Sequence, residues 1–189
     1  MEKVLGLDVS TSMTGWVILK KGQRIASGHV KPKGANIYEK AESIHEALKD
    51  IKKDHPEMDV WIEEPLTKFS KNKSSSATLS LLARFNGMIS LMVFQLWGEP
   101  HHIWSEDARR DVGIEIPRKK KRGTELVYNR KRQQVRKQRT AKSFVLEKIV
   151  ELDPSFEIRH NRTGNIADFV YDEADAYVVA LAGYAKKTP

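Results

Sequence analysis

Four carboxylates stand out by their surroundings. Asp8 lies inside the apolar run Val4-Leu5-Gly6-Leu7-Asp8-Val9, where an acid is costly to bury unless something pairs with it. Glu63 ends a second such run, Val60-Trp61-Ile62-Glu63, with Glu64 beside it. Alternation along a strand sends Glu63 and Glu64 to opposite faces, so only one of them can share a site with Asp8. Asp172 and Asp175 stand three apart in a late apolar helix, hence on one side of it. Carboxylates that converge raise one another's pKa values, and divalent cations remove the conflict. Oxygen-only ligation suits magnesium or manganese. Two such ions about 4 Å apart can activate water and stabilise the leaving oxygen in phosphodiester hydrolysis. Three of the four also have a plainer reading: Asp172 and Asp175 as acids complementing a helix dipole, Asp8 as the holder of a turn.

The elements that must position these acids can be read from periodicity. Val4 to Val9 reads as a buried strand, Gly15 to Leu19 as a second and Arg24 to Val30 as a third, with Lys20-Lys21-Gly22-Gln23 as a hairpin turn. Together they predict an antiparallel meander. Ile37, Ala41, Ile44, Leu48 and Ile51 carry the spacing of an amphipathic helix that stops at His55-Pro56. Asp59 to Glu63 is a strand ended by Pro65, and a polar, basic loop from Thr67 to Ser76 leads into an apolar helix at about Ala77 to Trp97. His101 to Trp104 reads as a strand. Ser105 to Val112 reads as a short helix with Ser105 as its cap. Helices are expected again at Ala141 to Leu152 and Asp168 to Ala185, the latter apolar along Ala176, Val179, Ala180 and Gly183. That face should press Asp172 and Asp175 toward the strands bearing Asp8 and Glu63. Strands first, then strands alternating with helices, predict an α/β sheet flanked by helices.

The chain has 189 residues, 40% of them hydrophobic, enough for one domain with a real core. No repeat or domain linker interrupts it, and residues 1–189 are expected to form a single domain with a basic insertion at about 113–139. It has no cysteine, which excludes a disulfide scaffold and a thiolate zinc site. The start lacks the long apolar stretch of a signal peptide. The most apolar segment, Leu79 to Trp97, is broken by Ser80, Arg84, Asn86, Gly87, Ser90 and Gln95, so a buried helix is expected rather than a membrane span. An intracellular, cytoplasmic protein with no membrane partner is the expectation. The net charge of +8 is concentrated: residues 118–139 hold eleven Lys/Arg and one acid, Glu125, while the rest of the chain has 22 basic and 24 acidic residues. So local an excess fits a polyanion footprint, although a solvated loop would look the same.

Taken together the motifs resemble a known family. Gly6-Leu7-Asp8-Val9-Ser10 followed by Thr14-Gly15-Trp16 resembles the opening strand and turn of RuvC-like Holliday junction resolvases, of the RNase H-like superfamily. Trp61-Ile62-Glu63-Glu64-Pro65 resembles their second acidic motif, and Asp172-Glu173-Ala174-Asp175-Ala176 their terminal D-x-x-D-A helix. Lys71-Asn72-Lys73-Ser74 running into Leu81-Leu82-Ala83-Arg84-Phe85-Asn86-Gly87 resembles the approach to their long central helix. The resemblance spans about residues 3–112 and 140–185. It implies an RNase H-like fold with a five-stranded mixed sheet, a homodimer, and magnesium-dependent symmetric nicking of a four-way DNA junction that leaves 5′-phosphate and 3′-hydroxyl ends. Position by position it makes Asp8, Glu63, Asp172 and Asp175 the catalytic metal ligands, for two Mg²⁺ with Mn²⁺ as substitute, and favours Glu63 over Glu64. The basic stretch at 118–139 is longer and more charged than the family's connection there, which suggests a divergent branch, bacterial or phage-borne, and leaves open which basic residue assists catalysis.

For such a substrate the expected DNA contacts are Lys68, Phe69, Lys71 and Lys73 after Glu63, with Phe69 either stacking on a base at the crossover or packing on its own domain. Arg109 and Arg110 follow, then Arg118, Lys119, Lys120, Lys121 and Arg122 as a patch that binds backbone without reading sequence. The helix at 77–97 is apolar round most of its girth, hence either buried in the monomer or shared with a second subunit. Three other readings stay open: a nuclease for flaps or forks, a non-catalytic nucleic-acid binder on the same fold, and a phosphotransferase suggested by the turn Gly6 to Ser12.

Overall fold

The computed structural model describes residues 3–65, 75–129 and 131–187. The meander is present as β1 (Lys3–Asp8), β2 (Thr14–Lys20) and β3 (Gln23–Val30), all antiparallel. The β2–β3 turn places both Lys21 (φ 52°) and Gly22 (φ 77°) in the left-handed region, the geometry whose twist suits a two-residue hairpin. After α1 (Ile37–Asp54), β4 (Asp59–Glu63) joins the other edge of β1 in parallel. After α2 (Ser76–Trp97), β5 (His101–Ile103) adds in parallel to β4. The sheet order is therefore β3-β2-β1-β4-β5, with helices on both faces. The chain continues through α3 (Ser105–Asp111), a 3-10 turn at Lys119–Lys121, β6 (Thr124–Tyr128), β7 (Gln134–Gln138), α4 (Ala141–Leu152) and α5 (Asp168–Lys187).

Strand alternation decides which side each residue serves. Leu5, Leu7, Ile18 and Ile62 pack against Ala41, Ile44 and Leu48 of α1 and Phe85, Ile89 and Val93 of α2. Val4, Val17, Leu19 and Trp61 turn the other way, onto Val145 and Ile149 of α4 and Val170, Ala176, Val179 and Ala180 of α5. Asp8 shares the parity of Val4, and Glu63 that of Trp61. Both therefore face α5.

That helix lies unusually close to the sheet. A Cβ built on Gly6 would fall 2.3 Å from the Ala176 carbonyl oxygen, and one on Gly15 would fall 2.2 Å from that of Asp172. Two glycines in adjacent strands thus admit the helix backbone itself, as close helix–sheet contact requires.

One expectation is corrected and two are made more specific. Ser105 does not cap α3: Trp104 occupies the cap position, and Ser105 is the first helical residue, where its hydroxyl moderates the rise in the Glu63 pKa. The apolar helix α2 is not buried all round. Phe85, Ile89 and Val93 are buried, but Leu91 and Phe94 are more than half exposed, and by length and composition alone the helix could cross a membrane. The basic stretch, read from its charge as an insertion or solvated loop, contains an antiparallel hairpin, β6–β7, in a sheet of its own. Its Thr-Glu-Leu-Val-Tyr run has the β-branched and aromatic composition of a strand, a pattern the surrounding lysines and arginines obscured.

Candidate active site

Asp8 and Glu63 sit at the carboxyl ends of neighbouring parallel strands, where Leu7 pairs with Ile62. This is the end at which open α/β sheets gather their functional groups. Helix α5 crosses above them with Asp172 in its second turn and Asp175 three residues on. Asp172 therefore lies beyond the first turn, where the dipole explanation applies most strongly. Gly15, opposite Asp8 in the β1–β2 ladder, holds the Asp172 backbone close. The four acids predicted from sequence are thus brought together. Glu64 follows the other parity, and its N–H is spent on the Ile103 carbonyl at 2.9 Å.

The electrostatics show how tightly they are gathered. Burial pushes the Asp8 carboxyl well above the usual carboxylate range, and Glu63, Asp175 and Asp172 push it further. Glu63 is raised to about 7, by burial first and Asp175 second, against the pull of Arg109 and Ser105. Asp175 is raised by burial, although Lys142 and Arg109 oppose it. Lys142, from α4, is the residue that sequence reading missed. Its Nζ lies 2.6 Å from Asp172 Oδ1 and 3.3 Å from Asp175 Oδ2. Burial works against the lysine charge, but Asp175, Asp8 and Asp172 outweigh it and hold the ammonium firmly protonated. Lys142 follows a run of eleven other basic residues, so nothing in its local sequence singled it out.

Among the described residues no three acids or histidines close into a ready-made metal cage. The donor set nevertheless fits a hard divalent cation: carboxylate oxygens only, with Asp8, Glu63 and Asp175 raised first by burial and then by their acidic neighbours, the condition a cation relieves. Lys142 and Arg109, the latter 3.5 Å from Asp175, supply part of that compensation from the protein.

The remaining expected contacts are scattered. Arg109 points into the acidic cluster. Arg110 is exposed and engaged with Asp107 at 2.7 Å. Lys119, Lys120 and Lys121 form an exposed 3-10 turn flanked by Arg118 and Arg122, whose Nε donates to the Pro117 carbonyl. Lys68, Phe69, Lys71 and Lys73 lie outside the described residues.

A second buried acid was also missed. Glu173 is 1% exposed and pairs with Arg159 and, at 2.7 Å, with His29 Nδ1, whose ring stacks on Phe169. It ties α5 to β3 and to the segment before the 161–165 turn, immediately beside Asp172.

The strand order and flanking helices define an RNase H-like fold. No protein-family model matches the chain, and no curated protein matches it by sequence. Among solved structures it is similar to Thermus thermophilus RuvC, with a TM-score of 0.57 at 15% identity over 95% of this chain and 92% of that one. It is also similar to T. thermophilus RuvC in complex with a Holliday junction substrate, with a TM-score of 0.55 at 14% identity over 96% and 92% of the two chains. The fold of this chain is RuvC-like.

Proposed function

We propose that this protein is a magnesium-dependent endonuclease that resolves four-way DNA junctions by symmetric nicking, leaving 5′-phosphate and 3′-hydroxyl ends. The observation that carries the reading is the convergence of Asp8, Glu63, Asp172 and Asp175 on one face of a RuvC-like sheet. These four would hold two Mg²⁺ ions, with Mn²⁺ as substitute. Bound there, the ions supply Lewis acidity and an activated water for phosphodiester hydrolysis. The protein's own contribution is charge placement. Lys142 and Arg109 bring positive charge to the same point, positioned to orient a phosphate, while burial excludes bulk water and strengthens each interaction.

DNA as the substrate is supported by the exposed basic turn and hairpin between α3 and α4. A homodimer is supported by the exposed apolar residues of α2, and two-fold symmetry would give two equivalent sites for two cuts. We place the protein in the cytoplasm of a bacterial or phage-infected cell, where its substrate is found.

Synthetic four-way junctions incubated with the protein and Mg²⁺ test the reading. Two symmetric, ligatable nicks are expected, lost in Asp8→Asn while junction binding remains. Undiminished cutting by that variant sinks the role of Asp8. Equal cutting of linear duplex sinks the junction preference.

A further inference from the structure

Between the β6–β7 hairpin and the starts of α4 and α5 lies a cleft of about 560 Å³. Its walls are fastened together. Asn165 grips the hairpin at both polar groups of one residue: its Nδ2 donates to the Tyr128 carbonyl, and its Oδ1 accepts the Tyr128 N–H, each at 2.7 Å. The Tyr128 ring lies over Gly164, where even a Cβ would come within 3.2 Å. On the opposite side Ser143 of α4 donates to Glu125 of β6 at 3.0 Å. A hairpin held at both ends makes the cleft a built feature.

Its position gives it meaning. Lys142 lines the cleft and also touches Asp172, so a molecule filling it ends beside the acidic cluster. Tyr128, Tyr171 and His160 line it, and its two lysines, Lys137 and Lys142, are matched by two acids, Glu125 and Asp168. Aromatic side chains beside polar edges suit a planar heterocycle, and a lining with balanced charge suits the neutral base rather than its phosphate. The volume lies within the roughly 300–1,000 Å³ of ordinary small-ligand sites, so a whole nucleoside fits.

We propose that this cleft receives an unstacked nucleobase of the DNA strand whose phosphate lies at the acidic cluster, and that its lining sets base preference at the cut. The proposal rests on the nuclease reading above.

Single-stranded oligonucleotides carrying one 5-iododeoxyuridine at successive positions, photocrosslinked to the wild-type protein in chelator and mapped by mass spectrometry, test occupancy directly. Crosslinks on Tyr128 or Tyr171 are expected. In parallel, cut positions are mapped on four-way junctions randomised around the crossover, for wild type, Tyr171→Phe and Tyr171→Ala. The alanine variant should lose crosslinking by roughly tenfold, the size expected for removal of one stacked ring, and its base preference should flatten. Tyr171→Phe should retain both. Crosslinks confined to residues outside the cleft overturn the proposal, as does wild-type cutting without base preference. So does an unchanged preference in Tyr171→Ala. If that variant does not fold, the wild-type crosslink map decides. Crosslinks in the cleft with junctions left uncut would sink the resolvase reading and with it the role in base preference, leaving only base binding in the cleft.

Discussion

Each acid of the cluster is defined by the energy it costs. Glu63 is held near 7 against an ordinary 4.5, so between those values the folded protein keeps a proton that the unfolded chain has released. The contribution of such a group to stability is therefore highest below 4.5, falls as pH rises to about 7, and stays low above. In chelator, Glu63→Gln should be more stable than wild type at about pH 8, with the advantage shrinking toward about pH 5. Mg²⁺ should raise the wild-type melting temperature more at the higher pH, where the carboxylates it needs are ionised. Melting curves across that range check both, and a Glu63→Gln variant less stable than wild type throughout would contradict the strain argument. Lys142 shows the other half of the balance. A cation from the protein sits among the acids, so a bound metal would add to an existing compensation.

At the level of elements, the site depends on how closely α5 approaches the sheet. Gly15→Ala places a methyl group 2.2 Å from the Asp172 carbonyl oxygen, where the nearest atoms are all α5 backbone and no flexible side chain can move aside. Overpacking of this kind costs about 1–3 kcal/mol, and the strain falls on the turn that carries Asp172. Denaturant unfolding should show that loss, and junction cleavage should fall by more than stability alone explains. Cleavage equal to wild type in a folded Gly15→Ala protein would mean that Asp172 need not hold its place. The basic turn and hairpin are the second element with a job of their own. Neutralising Arg118 to Arg122 should weaken junction binding and reduce the slope of log affinity against log salt by about 0.9 for each duplex phosphate no longer neutralised. Cut positions should shift little, because groups that bind phosphate position the protein without reading bases.

For the whole molecule, the open question of α2 becomes one of assembly. Leu91 is 58% exposed and Phe94 56%, on a helix that carries no charge between Phe85 and Trp97. A second copy covering this face would bury both. Sedimentation should find a dimer in the wild type and a monomer in a Leu91→Glu, Phe94→Glu double variant, with paired nicking replaced by single nicks. A wild type that stays monomeric at assay concentrations and still cuts in pairs would remove this interface from the mechanism.

Periodicity alone was enough for most elements. Apolar residues form short unbroken runs in β1, β2 and β4 and recur every three to four positions in α1, and such local patterns survive without tertiary context. Asp8 and Glu63 were legible because each breaks an apolar run, and breaking it is expensive; Asp172 and Asp175 were legible from their shared helix face and the resemblance of their motif. The choice of Glu63 over Glu64 needed the strand register, which follows from Trp61 packing on α5. Lys142 and Glu173 were invisible because their roles depend on partners 30 and 144 residues away, and a charged residue in a helix carries no local mark of a distant partner. The hairpin was hidden by its own charge, and the exposure of Leu91 and Phe94 by the apolar character that suggested burial. The four carboxylates could be named from the chain alone, but only the tertiary structure could bring α5 against Gly15 and set Lys142 among them, because close approach is a property of two surfaces together.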